Sequence, residues 1–132
     1  MVEDRLREEL RALEKRPGIE LVILFGSRAK GYARPDSDLD VAISSEKPLD
    51  LLEITNDLIQ ATHLNDIDVV DLHRCGPLLG MRILNEGEVL VRKPGALGRI
   101  GSYICRRYAD TKKFRQAGNR YLDLFLSKRG SI

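Results

Sequence analysis

The stretch LFGSRAKGYARPDSDLDVAI runs from Leu24 to Ile43, and its reading decides the fold. It closes an apolar run, turns on Gly26 and Ser27, and ten residues later enters the alternating segment DSDLDVAI. Successive side chains of a strand point to opposite faces, so Leu39, Val41 and Ile43 share one side and Asp38 and Asp40 the other. Two carboxylates at most about 7 Å apart on one strand face repel each other. Burying either without compensation is costly. The pair is favourable only with a cation between the two. Hard oxygen ligands suit Mg²⁺ or Mn²⁺, and Mg²⁺ takes one or two carboxylates and fills its shell with water and phosphate oxygens. Asp38 and Asp40 therefore point to a metal site that a phosphorylated ligand completes.

The Gly-Ser turn supplies the other half. It ends the apolar strand LVILF (residues 21–25) and opens a short helix over 27–33 that Gly31 would close. Backbone N–H groups at such a turn face outward, and a helix N-terminus favours anions. Gly26 permits the sharp turn and a close phosphate approach. The Ser27 hydroxyl can bond a phosphate oxygen, and Arg28 and Lys30 can neutralise a triphosphate. A phosphate cradle beside metal carboxylates is the equipment of phosphoryl or nucleotidyl transfer. The G-x-x-x-x-G-K-[ST] pattern is absent, so this is not a P-loop.

Outward from this stretch, Val2, Leu6, Leu10 and Leu13 recur at helical spacing and predict a surface helix over 2–16, ended by RPGIE. Pro48 opens the next helix, with Leu51, Leu52, Thr55, Leu58 and Ile59 as its buried stripe. DIDVVDL (66–72) reads as a strand on which Asp66 and Asp68 share a face and Asp71 points the other way. Pro77 starts a helix with Leu78, Met81 and Leu84 inward, and Gly87 ends it. EVLVR (88–92) reads as a short edge strand. One or two basic helices follow from about 97 to 128. The order predicts an α/β (α+β) fold, a mixed sheet of about four strands packed on helices. The 132 residues suit one domain, with a core over 18–92 and a basic helical tail over 96–129.

Charge is unevenly spread. Residues 1–91 carry 11 Lys/Arg against 18 Asp/Glu, a net −7, whereas residues 92–132 carry 11 against 2, a net +9. A basic end on an acidic body suggests a negatively charged partner. Only RRYADTKKF and RYLDLF interleave aromatics with basic residues, which is weak support for nucleic acid. No apolar run approaches the roughly 18 residues that span a bilayer, and the charged N-terminus lacks a signal peptide's apolar stretch. Cys75 and Cys105 have no metal-ligand spacing and read as buried thiols of a cytoplasmic protein.

Gly26-Ser27, ten intervening residues and Asp38-x-Asp40 resemble the signature of the DNA polymerase β-like nucleotidyltransferases. FGSRAKG, SDLDVAI and IDVVDLHRCGPLL, with the short chain, resemble the minimal nucleotidyltransferase (MNT) family, many of whose members are antitoxins of HEPN/MNT toxin–antitoxin pairs. The tail resembles that group more loosely. The resemblance implies a polymerase β-like fold, ATP held at the glycine turn, and two Mg²⁺ ions (Mn²⁺ as the substitute) held by three carboxylates. It implies AMP transfer to a tyrosine hydroxyl of a cognate HEPN toxin in a hetero-oligomer. Carried over, Gly26, Ser27 and Arg28 fall at the nucleotide turn and Asp38 and Asp40 at the paired metal ligands. The third carboxylate, metal ligand or base, aligns best with Asp68, whose parity matches; Asp66 and Asp71 remain as alternatives.

Other readings stay beside this one. The chain would act as a nucleotide-binding module that neutralises its partner by contact, or as a nucleotidyltransferase on RNA or a small molecule. About 40 residues after the core are few for an acceptor domain. His63 and His73 read as surface or capping residues, and Arg74 as reaching a phosphate, the partner or solvent. No Arg lies four to six residues before either His, so the HEPN ribonuclease pattern is absent. Tyr103, Tyr108, Phe114, Tyr121 and Phe125 are expected to pack the tail helices.

Overall fold

A computed structural model describes residues 2–26, 28–29 and 38–111. In chain order the elements are α1 (Val2–Arg11), β1 (Ile19–Phe25), β2 (Leu39–Ser45), α2 (Leu51–Thr62), β3 (Ile67–Asp71), α3 (Pro77–Glu86), β4 (Glu88–Arg92) and α4 (Ala96–Asp110). A 3-10 turn, Ala12–Lys15, follows α1. The strands lie in the order β3-β2-β1-β4. β1 runs antiparallel to β2 and β4, and β2 runs parallel to β3. The mixed four-stranded sheet expected from the sequence is present, with β4 at an edge. Of the helix expected over 27–33 only residues 28–29 are described, as a turn; its other residues and the tail beyond residue 111 lie outside the described residues.

β1 is central and is covered on both faces, which explains why LVILF is apolar at every position instead of alternating. Leu39, Val41 and Ile43 of β2 join Val22 and Leu24 against α1 and α2. Leu21, Ile23 and Ala42 face the other way, onto Ile83 of α3 and Ala96, Ile100 and Ile104 of α4. α3 and α4 approach closely at Gly80, where a Cβ would stand 2.9 Å from Ile104 Cγ2.

The pairing of β1 with β2 shifts register between Ile19 and Leu21. Glu20 sits at this irregularity, 5% exposed, and is held from α4 by Arg99 Nη2 at 2.6 Å. Ser44 Oγ donates to the same carboxylate at 3.3 Å. Removing one partner of a buried ion pair strands the other charge. Arg99 is itself largely exposed, which reduces the effect. Arg99→Ala is expected to cost about 1–3 kcal/mol, read as a lowered urea midpoint with an unchanged slope.

Three local expectations differ. α2 starts at Leu51, with the Asp50 side chain accepting from the Glu53 N–H, and not at Pro48. Its buried residues are Ile54 and Leu58, while Leu52 is 72% exposed. In α3 the buried positions are Gly80 and Ile83, with Met81 and Leu84 packed at the margin. Both helices are apolar on more than one face, so periodicity alone does not choose the inward side. The cysteines are not both buried: Cys75 is half-buried, with burial pushing its thiol pKa up, and Cys105 is exposed. Tyr103 and Tyr108 are half-buried on α4; Phe114, Tyr121 and Phe125 lie outside the described residues.

Candidate active site

The sheet brings the carboxylates together through register. Asp40 pairs across to Phe25 on β1 and to Asp68 on β3. All three positions lie at one end of the sheet, and Asp38 stands immediately before β2 at that end. Parallel neighbours are about 4.8 Å apart, so Asp40 and Asp68 leave adjacent backbones on the same face. The electrostatics record the crowding. Asp40 is pushed up from 3.8 to about 6 by its burial, then by Asp68 and then by Asp38.

Gly26 closes the site from β1. Its φ is +76°, a region glycine enters freely and other residues rarely. A Cβ on Gly26 would fall on Asp40 Oδ2, closer than any real contact. The glycine turn therefore packs directly against a carboxylate as well as reversing the chain. Ser27 and Lys30 lie outside the described residues.

Of the three aspartates considered on β3, Asp68 is the one that register sets beside Asp40. Asp71 pairs with Ile43, on the opposite parity, and its Oδ1 accepts the His73 N–H at 2.9 Å. Asp66 precedes the strand, and its backbone carbonyl accepts from Leu39 N at 3.0 Å, which holds the register. In the transferase reading that the resemblance implies, Asp68→Asn is expected to slow transfer by about 10²–10⁴-fold, the range for losing a general base. Asp66→Asn, which leaves the backbone bond in place, is expected to stay within about threefold of wild type, below 1 kcal/mol of barrier. Initial rates of AMP transfer separate the two.

Among the described residues, no three His, Cys, Asp or Glu side chains are arranged as a finished metal-binding set. The raised Asp40 carboxyl is the relevant observation: three acids crowd one another, and a divalent cation relieves the repulsion. Asp38, Asp40 and Asp68 fit such an ion by donor type, and register sets Asp40 beside Asp68.

Other candidates are set apart. Arg28 is 2% exposed, and with Arg5, Leu6, Glu9 and residues 61–64 it lines a groove of about 220 Å³ between α1 and the end of α2. That groove lies on the face of the sheet away from Asp40 and Asp68. Arg28, expected beside a triphosphate, is thus buried against this groove. His63 ends α2 in a left-handed conformation, φ 61°, which is the capping role expected of it. His73 is exposed at the surface, yet its Nε2 lies 3.2 Å from the hydroxyl of buried Ser44. Nothing in the spacing of Ser44 and His73 signalled this contact, because Ser44 lies on β2 and His73 just past the end of neighbouring β3, 29 positions apart. Arg74, also exposed, lies at the far end of β3 from the carboxylates.

A mixed sheet with a glycine turn at the end of one strand and carboxylates on its two successors is the working end of a nucleotidyltransferase. The family model for polymerase beta nucleotidyltransferases matches residues 9–95, and the chain belongs to that family. Within it, the chain is 28% identical to the protein adenylyltransferase MntA of Aphanizomenon flos-aquae, over 95% of this chain and 93% of that one. A toxin–antitoxin complex crystallised with AMP-PNP contains a chain with TM-score 0.75 and 25% identity, covering 92% of this chain and 98% of that one. The fold also matches, with TM-score 0.72 and 22% identity, a chain of the tri-AMPylated Shewanella oneidensis HEPN toxin in complex with MNT antitoxin, over 91% of this chain and 98% of that one. The resemblance to the MNT antitoxins, the polymerase β-like fold and the transferase class all hold.

Proposed function

We propose that this chain is a cytoplasmic, Mg²⁺-dependent protein adenylyltransferase that moves AMP from ATP to a tyrosine hydroxyl of a cognate HEPN toxin and so acts as its antitoxin. The observation that carries the reading is the convergence of Asp38, Asp40 and Asp68 beside the Gly26 turn, with Asp40 raised to about 6 by its burial and then by the two neighbouring carboxylates. The MntA relative and the toxin–antitoxin complexes support the acceptor and the partner. No helix among the described residues is long and apolar enough to cross a membrane, which is compatible with the cytoplasmic assignment.

In this reading the turn at Gly26 and Ser27 receives the triphosphate, and Asp38, Asp40 and Asp68 hold the metal. When bound, Mg²⁺ offsets the charge of the carboxylates and phosphates and polarises the phosphoryl group. Asp68, exposed on the open side, takes the proton of the incoming hydroxyl. The hydroxyl oxygen bonds to the α-phosphorus, the bond from that phosphorus to the α–β bridging oxygen breaks, and pyrophosphate leaves. The carboxylates orient the reactants, so positioning supplies much of the rate.

The test is intact-mass spectrometry of the cognate toxin after incubation with this protein, ATP and Mg²⁺. A gain of one or more AMP units on a tyrosine is expected. A stable complex without any gain would mean neutralisation by contact, and absence of a complex would point to RNA or a small molecule as acceptor.

A further inference from the structure

The sheet has a second charged end. β1 and β4 pair Leu21 with Arg92, and the Lys93 N–H bonds the Glu20 carbonyl at 2.9 Å, so both cations sit opposite the carboxylate end. The loop after β3 adds Arg74 at the same end. α4 is tied across it: Arg99 reaches Glu20, the Tyr103 hydroxyl donates to the His73 carbonyl at 3.2 Å, and Arg107 Nη1 donates to the Cys75 carbonyl at 2.9 Å. Arg106 follows on the exposed side of α4. Arg74, Arg92, Lys93 and Arg106 are all exposed, and none makes an ion pair or side-chain hydrogen bond among the described residues. The acids nearby are committed or balanced. Glu20 is held by Arg99, Asp71 accepts from the His73 N–H, and exposed Glu46 is followed by exposed Lys47.

Five residue steps along β2 lead from Asp40 to Ser45, about 17 Å of rise, so this rim is too distant to serve the triphosphate. The rim also carries a tilted ring pair. The exposed His73 ring lies 5.9 Å from that of Tyr103, and the Arg107 guanidinium stands over Tyr103 at 5.4 Å. Unpaired cations beside an exposed ring suit a strand of phosphates and unpaired bases, the cations meeting the backbone and the ring offering a face on which a base stacks. We propose that the rim carrying Arg74, Arg92, Lys93 and Arg106, together with His73 and Tyr103, is a binding surface for single-stranded nucleic acid, separate from the transfer site.

The test is fluorescence anisotropy of a labelled 20-nucleotide oligo(U) RNA with the full chain, read at several KCl concentrations. Four phosphate contacts, at a slope of about −0.7 each, predict an affinity loss of about 50-fold between 50 and 200 mM KCl. Arg74→Ala with Arg106→Ala should lower the slope by about 1.4, to an affinity loss of roughly sevenfold, with AMP transfer to the toxin unchanged. Arg92→Ala with Lys93→Ala, on the β4 side, should do the same and guards against a folding defect in the first pair. A salt-insensitive or absent RNA complex, or double variants that bind RNA as wild type does, would overturn the proposal. Loss of toxin modification in both double variants would assign the rim to the protein partner and overturn it as well.

Discussion

Asp38→Asn with Asp40→Asn is expected to abolish AMP transfer and, at the same time, to stabilise the metal-free protein. Losing several kcal/mol of metal-assisted stabilisation corresponds to at least about 10³-fold in rate. The stability gain follows from Asp40, raised from 3.8 to about 6 by burial, Asp68 and Asp38. Between these two values the folded chain holds a proton that the unfolded chain has released. The contribution of Asp40 to stability is therefore full below about 3.8 and is lost as pH rises through about 6. At neutral pH the ionised carboxylate works against the fold, and asparagine removes that cost. A shift of this size corresponds to about 3 kcal/mol, but Asp40 is half-exposed and water screens it, leaving about 1–2 kcal/mol. Thermal melts without metal should show the variant roughly 3–8 °C above wild type at pH 7–8, converging toward pH 4. A variant that melts below wild type at pH 7, or still modifies the toxin at the normal rate, contradicts this account.

Gly26→Ala is the second large effect, and it separates two roles of one glycine. A methyl group at φ +76° costs about 1–2 kcal/mol of backbone strain. It also lands on Asp40 Oδ2 and must displace that carboxylate. A misplacement near 1 Å at a reacting centre costs about 10²-fold. The expected variant is folded, melts a few degrees low, and transfers AMP about 10²-fold more slowly with a raised Mg²⁺ requirement. If only the KM for ATP rises while the Mg²⁺ requirement stays put, Gly26 serves the phosphate alone and does not seat Asp40.

Much of this was readable before any coordinates. The fully apolar LVILF run is what a central strand demands, and the alternation from Asp38 to Ile43 placed two acids on the face away from the apolar side chains. Parity on IDVVD separated Asp68 from Asp71, because a strand cannot turn both to one side. Parity does not separate Asp66 from Asp68; the inter-strand register does, and register is a property of two segments at once. For the same reason the helical stripes miss Ile54 and Ile83 and put Leu52 inward, although Leu58, Met81 and Leu84 do face the core. Leu52 and Ile54 are equally apolar, and the choice between them rests on β2 and β3 beneath them. Arg28 showed the limit of adjacency: one residue beyond Ser27 in sequence, its side chain is buried against the groove between α1 and the end of α2. The hold of Arg99 on Glu20 spans 79 positions and needed the register shift in β1, which no local pattern announces.

The ladder between β2 and β3 works as a gauge. Leu39 to Ile67, Asp40 to Asp68 and Val41 to Val69 are successive rungs, so the gap between the two acids is set by backbone hydrogen bonds and not by how side chains settle. Repacking the hydrophobic layers leaves that gap alone. Deleting one residue ahead of Asp68 within β3 would carry it to the opposite face and bring an apolar side chain beside Asp40. Anyone reshaping the protein for a new acceptor can accordingly vary the helices and loops widely, provided the length of chain from Leu39 to Asp71 is counted out residue by residue and kept.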